Sequence, residues 1–185
     1  MPRQRINLDT VLDEAAAVVD NDGRDELSLG RLADGLGVQP SALYNHVDGI
    51  DGLWHDLAVH ATENLAEALR VSLVARSGPD AVRSLADAYR DFAHEHPGQF
   101  ASTLLPPVDA VDTLATAQAA IVDLFVTVMH TLGVEGERAV HCARLARSAI
   151  HGFVSLEAID AMTRPADRSE SFDQLIDFVL AGLAS

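Results

Sequence analysis

Apolar residues recur every three or four positions along most of this chain, which is the spacing of one face of an α-helix. The first such segment runs from Leu8 to Val19. Asn7 precedes it as a candidate N-cap, and Gly23 follows it where the chain must turn. The pattern therefore predicts that the chain begins with an amphipathic helix.

Two short helices and then a long one are predicted after this first helix. Ser28 is a favoured N-cap for a helix that reaches about Leu36, and Gly37 supplies the backbone freedom of a tight turn. Pro40 suits the first turn of a third helix, because its missing N–H would have no helical partner there. From about Ile50 the apolar spacing continues as a long fourth helix.

Proline and glycine residues divide the remainder into further helical segments. The segment from Ala119 to Leu132 is apolar on nearly all sides, which predicts a central helix enclosed by its neighbours. The other predicted helices cover about 82–93, Gln99–Leu105, Glu137–Met162 and 172–180. No strand pattern or repeat is found. The predicted fold class is all-α, with an N-terminal three-helix domain over residues 1–49 and a C-terminal helical bundle over residues 50–185.

The stretch SLGRLADGLGVQPSALYNHV, residues 28–47, has the organisation of a helix-turn-helix. Its inward positions are apolar, Ala33 is small where two helices would cross, and Gly37 lies in the turn. In such a motif the second helix enters the major groove of DNA. Similar helical hairpins also occur in bundles that never bind DNA.

The outward side chains of this stretch are hydrogen-bonding groups and one methyl, which suit phosphates and base edges. The predicted DNA-binding residues of the motif are Ser28, Arg31, Gln39, Ser41, Ala42, Tyr44, Asn45 and His46. Two alternatives remain open at this point: Tyr44 as a half-buried packing residue, and His46 as an ordinary histidine at a helix end.

The segment LSLGRLADGLGVQPSALYNHVDGIDGLW resembles the TetR-like transcriptional regulators, above all in its Leu43-Tyr44-x-His46 pattern. The segments YRDFAHEHPGQF, ARSAIHGFVSLE and SFDQLIDFVLAGL resemble the C-terminal region of one subgroup of that family. The resemblance implies a homodimer that binds double-stranded DNA through its first three helices. A cytoplasmic protein is expected separately, because Asp9, Asp13 and Glu14 stand where a signal peptide would need an apolar run. It also implies a small-molecule pocket and a dimer interface in the C-terminal helices.

Two positions depart from the pattern of the family. Ile50 stands where relatives usually have a lysine aimed at a phosphate, and Gly30 stands where many carry a polar or basic residue. Base readout is therefore expected to depend more on Arg31 and on the third helix.

The chain is strongly acidic, with 28 Asp and Glu against 13 Lys and Arg and a formal net charge of −15. This balance excludes a nonspecific nucleic-acid coat protein and a membrane-surface binder. Even residues 1–50 hold four arginines against nine carboxylates. Arg3 and Arg5 are expected to form a basic arm that, with Arg31, provides a local DNA-binding tip on an acidic body.

No membrane span is predicted, because the uncharged stretches Thr113–Val122 and Leu124–Val134 are separated by Asp123. Each is shorter than the roughly 20 residues that a membrane helix needs.

The C-terminal half offers candidates for the implied pocket and interface. The pocket candidates are Trp54, Phe92, His96, Phe100, Leu104, Phe125, Met129, Arg147 and His151. The interface candidates form two stripes, at Leu145, Ala149, Phe153 and Leu156 and at Phe172, Leu175, Ile176 and Val179. For any single residue the alternative is an ordinary place in the core of a helical bundle. For the two helices, a hairpin within one monomer is the alternative to a four-helix interface.

No catalytic, metal or cofactor site is predicted. The sequence has no His-Glu-x-x-His, cysteine cluster or Gly-x-Ser-x-Gly turn, and neighbouring side chains in His94-Glu95-His96 diverge by about 100° around a helix. The sequence therefore favours a regulator that a small molecule releases from a palindromic operator. The second hypothesis is a helical small-molecule-binding dimer that has lost DNA recognition, and a helical enzyme has no supporting constellation.

Overall fold

A computed structural model of the chain describes residues 6–107 and 112–183. The described residues form nine α-helices and no strand, which confirms the all-α prediction. The helices are α1 Leu8–Asn21, α2 Leu29–Leu36, α3 Pro40–Leu43, α4 Gly49–Ser72, α5 Gly78–Glu95, α6 Pro97–Ser102, α7 Thr113–Thr131, α8 Gly136–Ala158 and α9 Arg168–Leu183. One unpredicted 3₁₀ turn, Arg24–Glu26, joins α1 to α2.

The helix ends near the N-terminus form as the sequence predicts. The Asn7 side chain accepts a hydrogen bond from the Thr10 amide at 2.8 Å and caps α1. The Ser28 hydroxyl caps α2 by accepting from the Arg31 amide at 3.2 Å. Gly37 ends α2 in the left-handed conformation, with φ of +65°, which a residue with a Cβ adopts only with strain.

Helix α3 is shorter than the sequence suggests, and it ends at Leu43. Beyond it the chain continues as turns, in which the His46 amide donates to the Leu43 carbonyl at 2.8 Å. Gly49, with φ of +68°, then redirects the backbone into α4. Tyr44, Asn45 and His46 therefore lie in the connection between α3 and α4 rather than inside a helix.

The first of two compact units comprises residues 1–64 and 95–116. Its core is formed by the inward faces of α1, α2, α3 and the first half of α4. The buried members are Val11, Leu12, Ala15, Ala16, Val18, Val19, Leu27, Leu32, Ala33, Leu43, Val47, Leu53 and Leu57. This unit also contains α6, so it extends past residue 49, and a functional boundary at that residue stays a prediction.

Helices α1 and α6 make close backbone contact within this unit. A Cβ added to Gly98 would lie 2.2 Å from the Val19 carbonyl oxygen, so only glycine fits. The Asp20 carboxylate accepts from the Gln99 amide at 2.8 Å and from its side-chain Nε2 at 2.7 Å. Asn64 of α4 donates to Gln99 Oε1 at 2.8 Å. A buried polar network thus joins α1, α4 and α6.

The second unit comprises residues 65–94 and 117–185. Its core combines aliphatic residues of α4, α5, α7 and α8 with a few aromatic side chains. The largest fully buried members are Tyr89, Phe125, Phe172, Leu65, Leu69, Leu85 and Ile121. The Phe153 ring lies 5.2 Å from that of Phe172, which packs α9 against α8.

Helix α7 is buried along one stripe only, so the prediction of an enclosed central helix is wrong for the single chain. Leu114, Ile121 and Phe125 are buried, whereas Asp123 and Thr127 are exposed. The exposed Ala119 and Ala120 raise its apolar count on a face that does not pack.

The length of α7 also changes the membrane prediction. The helix has 19 residues, and a window with mean hydropathy of 1.4 makes it long and apolar enough to cross a bilayer. The length argument of the sequence therefore does not hold for α7, and the absence of a membrane span stays a prediction. One helix of this kind is weak support for a membrane span, because core helices of globular proteins pass the same test.

Candidate functional site

The outward surface of the helix-turn-helix presents polar side chains on a rigid apolar base. Tyr44 is 63% exposed, which excludes half-buried packing for this ring. Leu43 is fully buried and Val47 nearly so, and both fix the backbone around the exposed ring. The outward residues are the exposed Ser28, Gln39, Ser41, Tyr44 and Asn45 and the half-buried Ala42 and His46. The structure therefore brings the predicted DNA-binding residues of the motif to one region, while Arg3 and Arg5 lie outside the described residues.

Arg31 is held by a neighbouring carboxylate. Its guanidinium Nη2 donates to Asp22 Oδ2 at 2.7 Å, and both side chains are more than a third exposed. This ion pair raises the pKa of Arg31 further above its ordinary value. A DNA phosphate that binds Arg31 must compete with Asp22, which sequence spacing alone did not reveal.

Trp54, a predicted pocket residue, lies in a cleft of the first unit. The Arg24 guanidinium stacks over its indole ring at 4.3 Å, a cation–π contact. The end of α1 and the start of α6 complete a cleft of about 450 Å³. The stacking occupies one face of the indole and places Arg24 beside the helix-turn-helix core.

The other three pocket candidates of the first unit have different environments. Phe100 is buried, and Leu104 is 52% exposed. The His96 Nδ1 atom lies 3.1 Å from Asp20 Oδ2 and joins the network around Gln99. Packing or internal pairing therefore accounts for Phe100 and His96, whereas Leu104 presents apolar surface to solvent.

The five pocket candidates of the second unit include a polar group on α8. His151 Nδ1 lies 3.0 Å from the Tyr89 hydroxyl, and its Nε2 lies 3.2 Å from the Ser155 hydroxyl. Arg147, one turn earlier on α8, lies close enough to the Tyr89 hydroxyl for its charge to oppose the rise in the pKa of Tyr89 that burial causes. Phe92, Phe125 and Met129 are buried. The spacing predicts Tyr89 on the buried face of α5, where it lies, but the contacts of Tyr89 and Ser155 with His151 had no signal in the sequence.

Burial lowers the pKa of His151, and the positive charge of Arg147 lowers it further. Its folded-state pKa is then below the unfolded value of about 6.5, so the unfolded chain binds the proton more readily. Stability should fall as the pH drops through that value, and the loss is complete below the folded-state pKa.

We expect the variant His151→Gln to lose less stability than the wild type between about pH 8 and about pH 5. Thermal unfolding across this range measures the difference. His141→Gln, at an exposed position of the same helix, controls for the loss of one histidine. An equal dependence in wild type and His151→Gln would contradict the expectation.

The predicted dimer stripes divide into exposed and buried positions. Leu145 is 70% exposed and Leu156 is 50% exposed, as an interface on α8 requires. Phe172 and Ile176 are buried in the core of their own unit, so their assignment to the interface is wrong. These two residues lie on the face of α9 that packs against its own unit, where Phe172 contacts Phe153. Ala149, Phe153, Leu175 and Val179 are half-buried and stay predictions.

Two large apolar residues that the sequence interpretation omitted are more exposed than any predicted one. Phe178 on α9 is 82% exposed, and Ile159, just after α8, is 74% exposed. Phe178 falls between Asp177 and Val179, and its aromatic side chain on the polar side of α9 was the available signal.

Glu157 on α8 is the centre of a polar network that the sequence did not predict. Its carboxylate accepts from Arg90 Nε at 2.8 Å and from Arg90 Nη2 at 2.6 Å. His94 Nε2 lies 3.0 Å from the same carboxylate. The Glu157 side chain is only 6% exposed, and the hydrogen bond from Arg90 lowers its pKa. The arrangement binds α5 to α8 and leaves no carboxylate oxygen open to a ligand.

Comparison with known proteins agrees with this architecture. Residues 82–179 match the family described as "Tetracyclin repressor-like, C-terminal domain". The chain is 35% identical over 183 residues to the uncharacterized HTH-type transcriptional regulator YobS of Bacillus subtilis (strain 168), covering 98% of this chain and 95% of that protein.

Solved structures share the fold. A protein of unknown function from Rhodococcus sp. RHA1 matches over 100% of both chains, with a TM-score of 0.84 and 26% identity. The transcriptional regulator SCO7222, a TetR from Streptomyces coelicolor, matches with a TM-score of 0.73 and 20% identity over 97% of this chain and 98% of its own. The family match covers the C-terminal half, and the similarity to YobS extends over nearly the whole chain, including the helix-turn-helix. The chain belongs to the TetR family of transcriptional regulators.

Proposed function

We propose that this protein is a cytoplasmic repressor that binds a palindromic operator as a homodimer and leaves it when a small molecule binds. TetR regulators bind DNA operators and small molecules and act as dimers. The observation that carries the proposal is the exposed polar surface around Tyr44, supported from below by the buried Leu43 and Val47. Hydroxyl and amide groups of this kind bind phosphates and base edges.

Exposed apolar residues support the dimer. Leu145, Leu156, Ile159 and Phe178 are each at least half exposed, and such side chains on two neighbouring helices favour burial against a second copy. A twofold dimer would present two recognition surfaces to successive major grooves, which are about 34–36 Å apart.

Release follows from a two-state equilibrium of the dimer. An effector that favours the state with the two recognition surfaces too far apart or too tilted lowers operator affinity. A preference of about 1–3 kcal/mol between the two states is sufficient. An effector that bound the free and the DNA-bound dimer with equal affinity would contradict this mechanism.

Few phosphates are expected to be neutralised, because the basic groups expected to reach DNA are Arg3, Arg5 and Arg31 together with helix N-terminal amides, whereas Arg24 stacks on Trp54. Three or four contacts per subunit predict a slope of about −3 to −4 in log K against log salt per subunit. A much steeper slope would require basic contacts that this surface does not offer.

The Asp22–Arg31 ion pair leads to a separate prediction. Replacing Asp22 with asparagine removes the charge that competes with a phosphate for Arg31. We expect Asp22→Asn to bind the operator more tightly and to steepen the salt slope by about 1 per subunit, as one further phosphate contact would do. Fluorescence anisotropy at several salt concentrations measures both changes.

The control is Asp177→Asn, which removes an equal charge from an exposed pair with Arg83 in the second unit. A similar gain in affinity for Asp22→Asn and Asp177→Asn would assign the effect to net charge rather than to Arg31.

The function is tested by selection of bound sequences from a random duplex library with the purified protein. The double variant Tyr44→Ala, Arg31→Ala serves as the control. An enriched palindrome that is lost in the variant supports the operator-binding proposal. No enrichment at low salt, from a protein shown to be a folded dimer, would contradict it.

The second candidate is a small-molecule-binding dimer that has lost DNA recognition. It is favoured by the pairing of Arg31 with Asp22 and by Ile50, which is 38% exposed where relatives present a lysine. The same selection experiment separates the two candidates, since only a regulator enriches an operator.

A further inference from the structure

The side chains of Arg147, His151 and Ser155 follow one another at four-residue spacing along α8, and Tyr89 of α5 contacts two of them. Four residues are about one helical turn, so the three groups lie on the same face of α8. This group of four residues, called the α8 donor row below, lies within the second unit.

Arg147 supplies the donors of this row. Its guanidinium can only donate, and it lies beside the Tyr89 hydroxyl. His151 Nδ1 lies 3.0 Å from that hydroxyl, and its Nε2 lies 3.2 Å from the Ser155 hydroxyl. In a neutral imidazole one ring nitrogen donates and the other accepts, so both nitrogens have a suitable hydroxyl partner in either tautomer. The row therefore presents guanidinium N–H groups as donors at its Arg147 end.

The charge that acts on Tyr89 and His151 is the positive charge of Arg147. Burial raises the pKa of Tyr89 and lowers that of His151; the positive charge of Arg147 opposes the rise at Tyr89 and adds to the fall at His151. Arg147 is half-buried, and no carboxylate in the described part of the chain lies within ion-pair distance of it. In contrast, the other half-buried arginines, Arg90 and Arg168, pair with Glu157 and Asp160.

A partly buried cation without a counter-charge is costly, and acidic residues outnumber basic ones by more than two to one in this chain. The other half-buried arginines of the second unit have a carboxylate partner, as in the Arg90–Glu157 pair. A bound anion would supply the counter-charge that no described carboxylate gives to Arg147. The Tyr89 and Phe125 rings, 6.3 Å apart and both buried, make the Tyr89 side of the row apolar.

We propose that the α8 donor row binds the carboxylate group of an organic acid and that such an acid is the effector of this regulator. The carboxylate accepts from the Arg147 guanidinium, which suits its planar, two-oxygen geometry. His151 stays neutral and orients Tyr89 and Ser155. The role of the acid as an effector rests on the proposed function. The binding of an organic acid at Arg147 rests on the structure alone.

The test is the thermal unfolding of the full chain with two pairs of probes, benzoate against benzamide and hexanoate against hexanamide. Each pair differs by one charge at nearly equal shape, and sodium chloride balances ionic strength. At about 10 mM probe we expect at least one acid to raise Tm by about 3 °C or more and its amide to have a much smaller effect. Isothermal titration calorimetry of that acid gives the affinity directly.

Arg147→Met should abolish the shift caused by the acid, and the ligand-free variant should be no less stable than the wild type, because the removed cation had no carboxylate partner. A merely structural arginine would give the opposite result, a lower Tm without probe. Arg138→Met, at an exposed position of the same helix, should retain the shift. If Arg147→Met fails to fold, Arg147→Lys keeps the charge without the planar fork and should bind the acid at least about tenfold more weakly.

Three results would overturn the inference: an amide that stabilises as well as its acid, an acid that shifts Arg147→Met as much as the wild type, or no shift of the wild type by either acid. Operator selection uses no effector, so it fails or succeeds independently. An enriched operator without acid binding would support the regulator and contradict the organic-acid site. Acid binding without an enriched operator would support the site and contradict the repressor.

Discussion

Glu157→Leu is expected to lower the free energy of unfolding by about 3 kcal/mol, because it leaves the Arg90 guanidinium without its counter-charge in a largely buried site. For a chain of this length such a loss corresponds to a fall in Tm of roughly 6–12 °C. The estimate stands at the low end of the range for broken buried pairs, since the Arg90 side chain retains 16% exposure. Urea unfolding followed by circular dichroism measures it.

The double variant Arg90→Met, Glu157→Leu separates a lost pair from a lost packing contact. Replacing both ions with apolar groups removes the unpaired charge, so the double variant should be more stable than Glu157→Leu alone. Asp177→Asn breaks the exposed pair with Arg83 and should cost less than about 1 kcal/mol. A Glu157→Leu cost as small as that of Asp177→Asn would show that the network contributes no more than a surface ion pair.

The Glu157 carboxylate should also make the stability of the protein depend on pH in the acidic range. Arg90 holds the pKa of Glu157 below its ordinary value, which is about 4.3 in unfolded chains. A depressed folded-state pKa contributes stability above the unfolded value, and that contribution is lost as the pH falls through the folded-state pKa. The stability of the wild type should therefore fall relative to that of the double variant in this acidic range, below the window assigned to His151.

Gly98→Ala is expected to destabilise the first unit by about 3 kcal/mol. The new methyl group would lie 2.2 Å from the Val19 carbonyl oxygen and 2.8 Å from the Asp20 amide nitrogen. Both are backbone atoms of α1, so a side-chain rotation cannot relieve the overlap and the two helices must separate. Separation would also weaken the hydrogen bonds between Asp20 and Gln99.

Gly152→Ala is the matched control for this change. Gly152 also lies within a helix, and nothing lies within 4 Å of the position of its added Cβ. Alanine there should be neutral or stabilise by up to about 1 kcal/mol, because glycine is a poor helix former. Equal effects of Gly98→Ala and Gly152→Ala on urea unfolding would show that α6 does not pack closely against α1 in solution.

The sequence predicted the helices whose ends carry local signals. Asn7, Ser28 and Gly37 act within a few residues of their own positions, so their roles could be inferred without any tertiary information. The TetR likeness came from the same compact region, in which the turn and its apolar positions are set by neighbours in sequence. The end of α3 at Leu43 was not predicted, because Tyr44, Asn45 and His46 have no strong preference against a helix.

Which face of a helix is buried was harder to predict where apolar residues occur on several sides. Phe172 and Phe178 are both phenylalanines on α9, yet one is 1% exposed and the other 82%. Hydrophobicity does not distinguish them, and only the packing of α9 against α8 does. The same reason explains α7, whose exposed Ala119 and Ala120 raised the apolar count without contributing to the core.

Side-chain partners far apart in sequence were decided by the tertiary structure alone. Arg90 pairs with Glu157 across 67 positions, and Gln99 with Asp20 across 79. A sequence gives the charge of each residue but no distance between them, and the energy of a polar contact depends on that distance and on burial. By itself the sequence thus determined the fold class, the helix-turn-helix and the family likeness, because these depend on local spacing. The Asp22–Arg31 pair, the α1–α6 contact at Gly98 and the α8 donor row followed only from the packing of the helices.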